Sequence, residues 1–230
     1  MIRVIFWDVD GTLLDFLAAE REAISQSFEH FGLGKCSAEQ VARYSALNHQ
    51  YWRRLEEGEL TKEQVLIGRF EEFFAREGID FHQAREFNDV YQLRLGETIC
   101  FRDSSYELIA RLRGRVRQYA VTNGTRVAQD RKLAKSGLGP LFDGIFISEL
   151  VGAEKPSPAF FDHVFSHIGP VKKEEVLIVG DSLTSDMRGG LNAGIRCCWY
   201  NPNHQPIPEG MALNHVIDDL NQVEELLSRT

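Results

Sequence analysis

The chain predicts an α/β protein: a doubly wound parallel sheet with a helical segment inserted after its first strand. Three observations carry this reading. Residues 2–7 form a short apolar run, "IRVIFW", that stops at Asp8. Residues 16–99 show helical spacing and no convincing strand. From residue 100 onward, helix-like and strand-like segments alternate. Such alternation means parallel β-α units, and right-handed crossovers wind them into one sheet covered on both faces. The organisation expected is an α/β core of residues 1–15 and 100–230, with a helical domain of 16–99 inserted into it.

Each element has its own reason. Val4 to Trp7 are β-branched or aromatic and end at acidic and glycine residues, so they read as a buried strand. Beyond Phe16, Ala23, Ile24, Phe28 and Phe31 recur at helical spacing, as do Val65, Leu66, Phe70, Phe73 and Phe74. Gly32, Gly58 and Gly78 punctuate the region. Thr61 and Gln64 predict a capping box. Asp80 is expected to cap a further helix carrying Phe87, Val90, Tyr91 and Leu95. About four helices are expected in this insertion. After Cys100, a helix over 104–113 precedes the strand "RQYAVTN", and a helix over 126–136 precedes "DGIFIS". A helix over 157–168 precedes "EVLIVGD", and one over 184–193 precedes "GIRCCWY". The strand "HVI" and a helix over 219–228 close the chain.

Composition narrows the function classes. The chain has 230 residues, 43% of them hydrophobic and 26% charged, which fits neither disorder nor a disulfide scaffold. A net charge of −8 argues against nucleic acid or an anionic membrane as the main partner. A small phosphorylated ligand stays compatible, because a site sets its own local field. The four cysteines, Cys36, Cys100, Cys197 and Cys198, form no C-x-x-C pair and read as small buried thiols in a reducing compartment. The apolar start is too short for a signal peptide, and no segment approaches a membrane span. A cytoplasmic protein is expected, either a monomer or a homodimer.

The acids fall in a pattern. Ligands of a doubly wound sheet bind beyond the carboxyl ends of its strands. The first strand ends at Asp8 and Asp10, the second at Thr122 and Asn123, and a later one at Asp181, with Asp186 a helical turn beyond. The loop "GAEKPSP" adds Lys155. Taken singly, each has a plainer reading. Asp10-Gly11 is a turn signal, Asp181, Ser182, Thr184 and Asp186 are cap residues, and a lone lysine is solvated surface. Together they sit at strand ends in a consistent order. Clustered carboxylates repel one another and take up protons unless a cation sits among them. All-oxygen donors favour a hard ion, Mg²⁺ above all beside phosphate. Lys155 adds a positive charge. Thr122 and Asn123 add hydrogen-bond donors. The helix start near Thr125 adds free N–H groups. This is a cradle for a phosphoryl group.

"DVDGT", "TN", "KP" and "GDSLTSD", in that order on alternating strands and helices, resemble the haloacid dehalogenase-like phosphatase superfamily. The resemblance covers essentially the whole chain and implies a Rossmann-like core with a helical cap. It implies that Asp8 is the nucleophile and forms an aspartyl-phosphate. Asp10 would be the general acid and then the base, and its backbone carbonyl a ligand to Mg²⁺. Thr122, Asn123 and Lys155 would hold the transferring group, with Gly11 and Thr12 shaping the loop. Asp181 would ligate Mg²⁺ and Asp186 would support the metal. An aspartate two residues after the nucleophile argues for phosphate esters over carbon–halogen bonds. Trp7 replaces the family's common Phe.

The insertion "YWRRLEEGELTKEQVLIGRFEEFF", with "SELVGAEKP" and "GGLNAGIRCCWYNP", is similar to the YjjG/YfnB-like branch, pyrimidine 5′-nucleotidases acting on noncanonical nucleotides. That implies a nucleoside monophosphate substrate and a cap hinged near Asp15–Phe16 and Glu97–Phe101. Trp52 would stack on the base and Arg69 meet a polar edge; the plainer reading is a buried aromatic and a solvated basic residue. His163 and His167 stand four apart but lack a third ligand. Two alternatives stay open. One is a phosphatase for phosphoglycolate or a sugar phosphate. The other is a phosphate-binding module that has lost turnover.

Overall fold

The computed structural model describes residues 1–228. Its chain separates into two compact units: Met1–Asp15 with Cys100–Arg126 and Leu133–Thr230, and Phe16–Ile99 with Val127–Lys132.

The first unit is built on six parallel strands. They are β1 (Val4–Trp7), β2 (Arg117–Thr122), β3 (Gly144–Ile147), β4 (Val176–Gly180), β5 (Arg196–Tyr200) and β6 (His215–Ile217), in the spatial order β3-β2-β1-β4-β5-β6. The order reverses at β1. The chain first builds outward through β2 and β3, then returns to place β4 on the other side of β1. Ligand crevices form at such a switch point. The central strands β1 and β4 are buried at every position, as expected of a parallel sheet covered on both faces. Trp7 pairs with Ala120 on one side and Val179 on the other, so β1, β2 and β4 end close together. Phe6, Val121, Phe160, Val164 and Ile178 share one apolar core.

Helices α5 (Ser105–Leu112), α6 (Arg126–Ser136), α8 (Pro158–His167) and α10 (Gln222–Ser228) follow the expected segments. One element is added and one reading changes. A short helix, α7 (Ser148–Val151), follows β3 within "SELV". The helix expected over 184–193 is instead a π-helical turn, Leu183–Met187, followed by α9 (Arg188–Ala193). Gly190 lets this segment press against β4 and β5, because a Cβ there would stand 2.6 Å from Cys197 Sγ and from Ile178. π-Turns re-aim a side chain within a helix, often at functional sites; this one contains the fully buried Asp186.

The second unit holds α1 (Phe16–His30), α2 (Ala38–Glu56), α3 (Lys62–Glu77) and α4 (Ala84–Leu95). Its core is aromatic: Phe28, Tyr44, Phe70, Phe73, Phe74, Phe87 and Tyr91 are all buried. Their rings meet largely edge to face, as at Phe28–Phe87 and Phe74–Phe87, the arrangement the ring quadrupole favours. Thr61 and Gln64 form the expected capping box of α3, and Ser37 and Gln40 form a second one on α2. Asp80 does not cap α4, which starts at Ala84 without a side-chain cap. Phe81 instead packs on Phe31, Phe74 and Phe87, carrying the chain past Asp80 before the helix begins. Cys36, Cys197 and Cys198 are buried thiols, whereas Cys100 is exposed.

Candidate active site

Asp8 continues the β1 ladder, its N–H donating to the Val179 carbonyl at 2.9 Å. The chain then turns sharply: the N–H groups of Leu13 and Leu14 both return to the Val9 carbonyl, and Gly11 N–H reaches the Leu14 carbonyl. Gly11 sits at φ +92°, and a Cβ on it would lie 2.5 Å from Asp181 Oδ2. Glycine is therefore required both for the turn and for the approach of Asp181. The Thr12 hydroxyl stands 3.1 Å from Asp8 Oδ2 and 3.0 Å from Asp181 Oδ1, and accepts the Asp181 N–H at 3.0 Å. It ties the first acidic strand end to the later one. Asp10 lies on the same loop, partly exposed, its backbone bridged to Leu14.

Lys155 is buried, and its ammonium donates to Asp8 Oδ1 at 2.8 Å, Asp186 Oδ1 at 2.5 Å and the Val121 carbonyl at 2.8 Å. An ammonium has three protons, so each is engaged. The other oxygen of Asp186 accepts the Ser182 N–H at 3.1 Å. The hydroxyl of Thr122, at the end of β2, accepts the Gly124 N–H at 3.1 Å and keeps its own proton for another acceptor. Asn123 turns its side-chain amide onto the Lys155 backbone: Nδ2 donates to the Lys155 carbonyl at 2.8 Å and Oδ1 accepts the Lys155 N–H at 2.9 Å. At the start of α6, the Arg126 N–H is already taken by Glu149 at 2.7 Å, so that amide is not among the free donors expected there.

Ligand oxygens of Asp8, Asp181 and Asp186 lie within 4.8 Å of one another. Among the described residues this is the one group of three or more metal-ligating side chains so close together. Asp10 contributes no side-chain oxygen to it. Burial, then the charges of Asp186 and Asp181, push the Asp8 carboxyl well above the usual carboxylate range, although Lys155 pulls the other way. Burial, with Asp186 beside it, pushes Asp181 up to about 7. Burial also works against the Lys155 ammonium, but Asp186 and Asp8 outweigh it and hold it charged. Three carboxylates face one ammonium, an excess of two negative charges when all are ionised. Oxygen-only donors with that excess fit a hard divalent cation.

Trp52 and Arg69 belong to the helical unit. Trp52 is half-buried, with the Lys62 ammonium 5.9 Å from its ring centroid. Arg69 is only 1% exposed, so it is not the solvated base of the plainer reading. Its guanidinium donates to Asn48 at 2.6 Å and Asn88 at 3.0 Å, between the rings of Phe70 and Tyr91. Asn48 in turn donates to the buried Glu20 at 2.7 Å. The pattern of Arg69 is that of a strut through the helical core. One contact at the acidic cluster had no sequence signal: the Trp199 indole N–H donates to the Asp181 carbonyl at 2.9 Å. The neighbouring strands β4 and β5 make this contact possible, and strand adjacency is a property of topology.

Fold and site together define a hydrolase. The chain belongs to the haloacid dehalogenase-like hydrolases, whose family model matches residues 2–194. It is 38% identical to the HAD-hydrolase YfnB of Bacillus subtilis over 90% of this chain and 88% of that one. The magnesium-bound crystal structure of YfnB matches with a TM-score of 0.91 over 98% of both chains, at 34% identity in the structural alignment. The chain is also 34% identical to the pyrimidine 5′-nucleotidase PynA of Streptococcus pneumoniae, over 96% of this chain and 95% of that protein. The corresponding values for the pyrimidine 5′-nucleotidase YjjG of Escherichia coli are 31%, 98% and 97%.

Proposed function

We propose that this enzyme hydrolyses phosphate monoesters through an aspartyl-phosphate, with Mg²⁺ bound, and that its substrates are pyrimidine nucleoside 5′-monophosphates. The observation that carries the reading is the trio Asp8, Asp181 and Asp186, with buried Asp8 and Asp186 paired to one lysine and Asp181 partly exposed, at the point where the strand order reverses. The kinship with PynA and YjjG supports the choice of substrate. We read residues 1–15 and 100–230 as the catalytic core and 16–99 as the cap domain.

The residues divide the work as follows. Asp8 attacks phosphorus: a carboxylate oxygen forms the new P–O bond while the ester P–O bond breaks. Asp10 gives its proton to the departing alkoxide. A water then attacks phosphorus, Asp10 takes the proton, the bond to Asp8 breaks, and inorganic phosphate leaves. Lys155 holds Asp8 in place and sets a positive charge against the charge that builds on the phosphoryl oxygens. Thr122 supplies a hydroxyl proton to one of those oxygens. Gly11 and Thr12 fix the loop. Mg²⁺, held by Asp8, Asp181 and the Asp10 backbone carbonyl with Asp186 in support, would cancel the excess negative charge and draw a phosphoryl oxygen into line.

The test is phosphate release over a panel of nucleoside 5′-monophosphates and sugar phosphates, with Mg²⁺ and with EDTA. Selective, metal-dependent release from pyrimidine nucleotides is expected. Preference for sugar phosphates or phosphoglycolate would overturn the substrate reading and keep the mechanism. Mg²⁺-dependent phosphate binding without turnover of any ester would overturn the catalytic reading.

A further inference from the structure

We propose that Asn123 is a positioning residue, whose side-chain amide clasps the Lys155 backbone and so fixes where the Lys155 ammonium stands. The inference rests on the proposed phosphatase reading of the site and refines it. Lys155 projects from a loop, not from a strand or a regular helix. The lysine ammonium rides on a flexible four-carbon stem, so anchoring the backbone as well as the head narrows where that head can stand. The ammonium end is fixed by Asp8, Asp186 and the Val121 carbonyl. The backbone end is fixed by Asn123, which answers both the N–H and the C=O of Lys155 with one amide, at 2.9 and 2.8 Å.

The geometry of the clasp is that of a short piece of sheet. Asn123 directly follows the last residue of β2, so it stands on the rigid part of the fold. Its amide presents a donor and an acceptor side by side, as the N–H and C=O of one extended residue do in an antiparallel ladder. The near-isosteric aspartate offers acceptors alone when ionised, and leucine neither. Both residues are nine-tenths buried or more, where an unanswered peptide group is costly. One Nδ2 proton of Asn123 remains beyond the clasp, and the experiment decides whether that proton or the clasp is what matters.

The experiment is a double-mutant cycle between Asn123→Ala and Lys155→Met, read on the affinity for inorganic phosphate by calorimetry in Mg²⁺ buffer. It needs no turnover. Each single variant should weaken phosphate binding, and the double variant should bind no worse than Lys155→Met alone. A fully additive loss, or no loss in Asn123→Ala, would overturn the inference. Two readouts accompany the cycle. In Asn123→Ala, kcat on the preferred ester should fall about tenfold to a hundredfold, the cost of misplacing a reacting partner, with KM moving less than about threefold. A KM effect alone would assign the remaining Nδ2 proton to the substrate and contradict the proposal. A crystal structure of Asn123→Ala should show Lys155 drawn away from Asp8 or Asp186. An unmoved Lys155 would contradict the proposal even in a variant that folds normally. Absence of turnover in the wild-type protein would count against the proposed hydrolysis, and the cycle on phosphate binding would still decide for or against the clasp.

Discussion

At the residue scale, the site depends on groups whose partners are specific. Gly11 cannot gain a side chain: φ is +92°, and a Cβ would lie 2.5 Å from Asp181 Oδ2. Gly11→Ala is expected to displace Asp181 and lower kcat by about a hundredfold, measured by steady-state kinetics. Trp199 acts more gently, through one hydrogen bond to the Asp181 carbonyl. Trp199→Phe keeps most of the packing and removes that bond. It is expected to weaken Mg²⁺ binding several-fold, on the scale of one buried hydrogen bond of about 1 kcal/mol, read by calorimetry; unchanged Mg²⁺ affinity would sink the idea. Asp8 and Asp181 were legible in the sequence because each follows an apolar strand, and Asp186 because it stands a helical turn beyond Asp181. Asn123 was legible as a polar strand end, but its bonding to the Lys155 backbone was not, since the two residues meet only when the loop folds back. Arg69 was legible only as a charge on a helix; Asn48 and Asn88, which bury it, come from two other helices.

At the element scale, apolar run and cap chemistry explain most of the boundaries. The Thr61–Gln64 box is bonded in both directions, Gln64 N–H to Thr61 Oγ1 at 3.3 Å and Thr61 N–H to Gln64 Oε1 at 2.8 Å. Thr61→Ala should cost about 1 kcal/mol, seen as a lower urea midpoint with an unchanged slope. The helical unit also holds a pH-sensitive group. Burial raises the Glu20 carboxyl above its ordinary 4.5, despite hydrogen bonds from Ser45 and Asn48 and the charge of Arg69. The folded state then binds this proton more tightly than the unfolded chain does, so the contribution of Glu20 to stability is present below pH 4.5 and is lost as pH rises through the folded value. Glu20→Gln keeps an acceptor for Asn48 and drops the charge. The thermal midpoint of the variant, relative to wild type, should therefore rise as pH is raised from that range toward neutrality; a constant difference would contradict the assignment. The helix expected at 184–193 shows the limit of cap reasoning. Ser182, Thr184 and Asp186 carry a cap pattern, and Ser182 does accept the Ser185 N–H. The π-turn that follows leads into Gly190, whose close approach to Cys197 and Ile178 is a tertiary contact that no local pattern encodes.

At the scale of the whole molecule, strand alternation revealed the parallel core, and the switch point explains why acids at separate strand ends gather. The spatial order of the strands, with β4 returning beside β1, was open in the sequence because every core strand is similarly apolar. No helix among the described residues is long and apolar enough to cross a membrane. The kinship covers nearly the full length of this chain and of its relatives, so the family assignment spans both the core and the inserted helices of this chain. Whether Asp8 carries Mg²⁺-dependent phosphoryl transfer comes down to one comparison. Phosphate release from a pyrimidine nucleoside 5′-monophosphate is measured for the wild type and for Asp8→Asn, each with Mg²⁺ and with EDTA. Release is expected from the wild type with Mg²⁺ alone, and none above background from a variant that keeps its fold and thermal midpoint within a few degrees. Undiminished release by purified Asp8→Asn, or by the wild type stripped of metal, would refute that role for Asp8 and its metal.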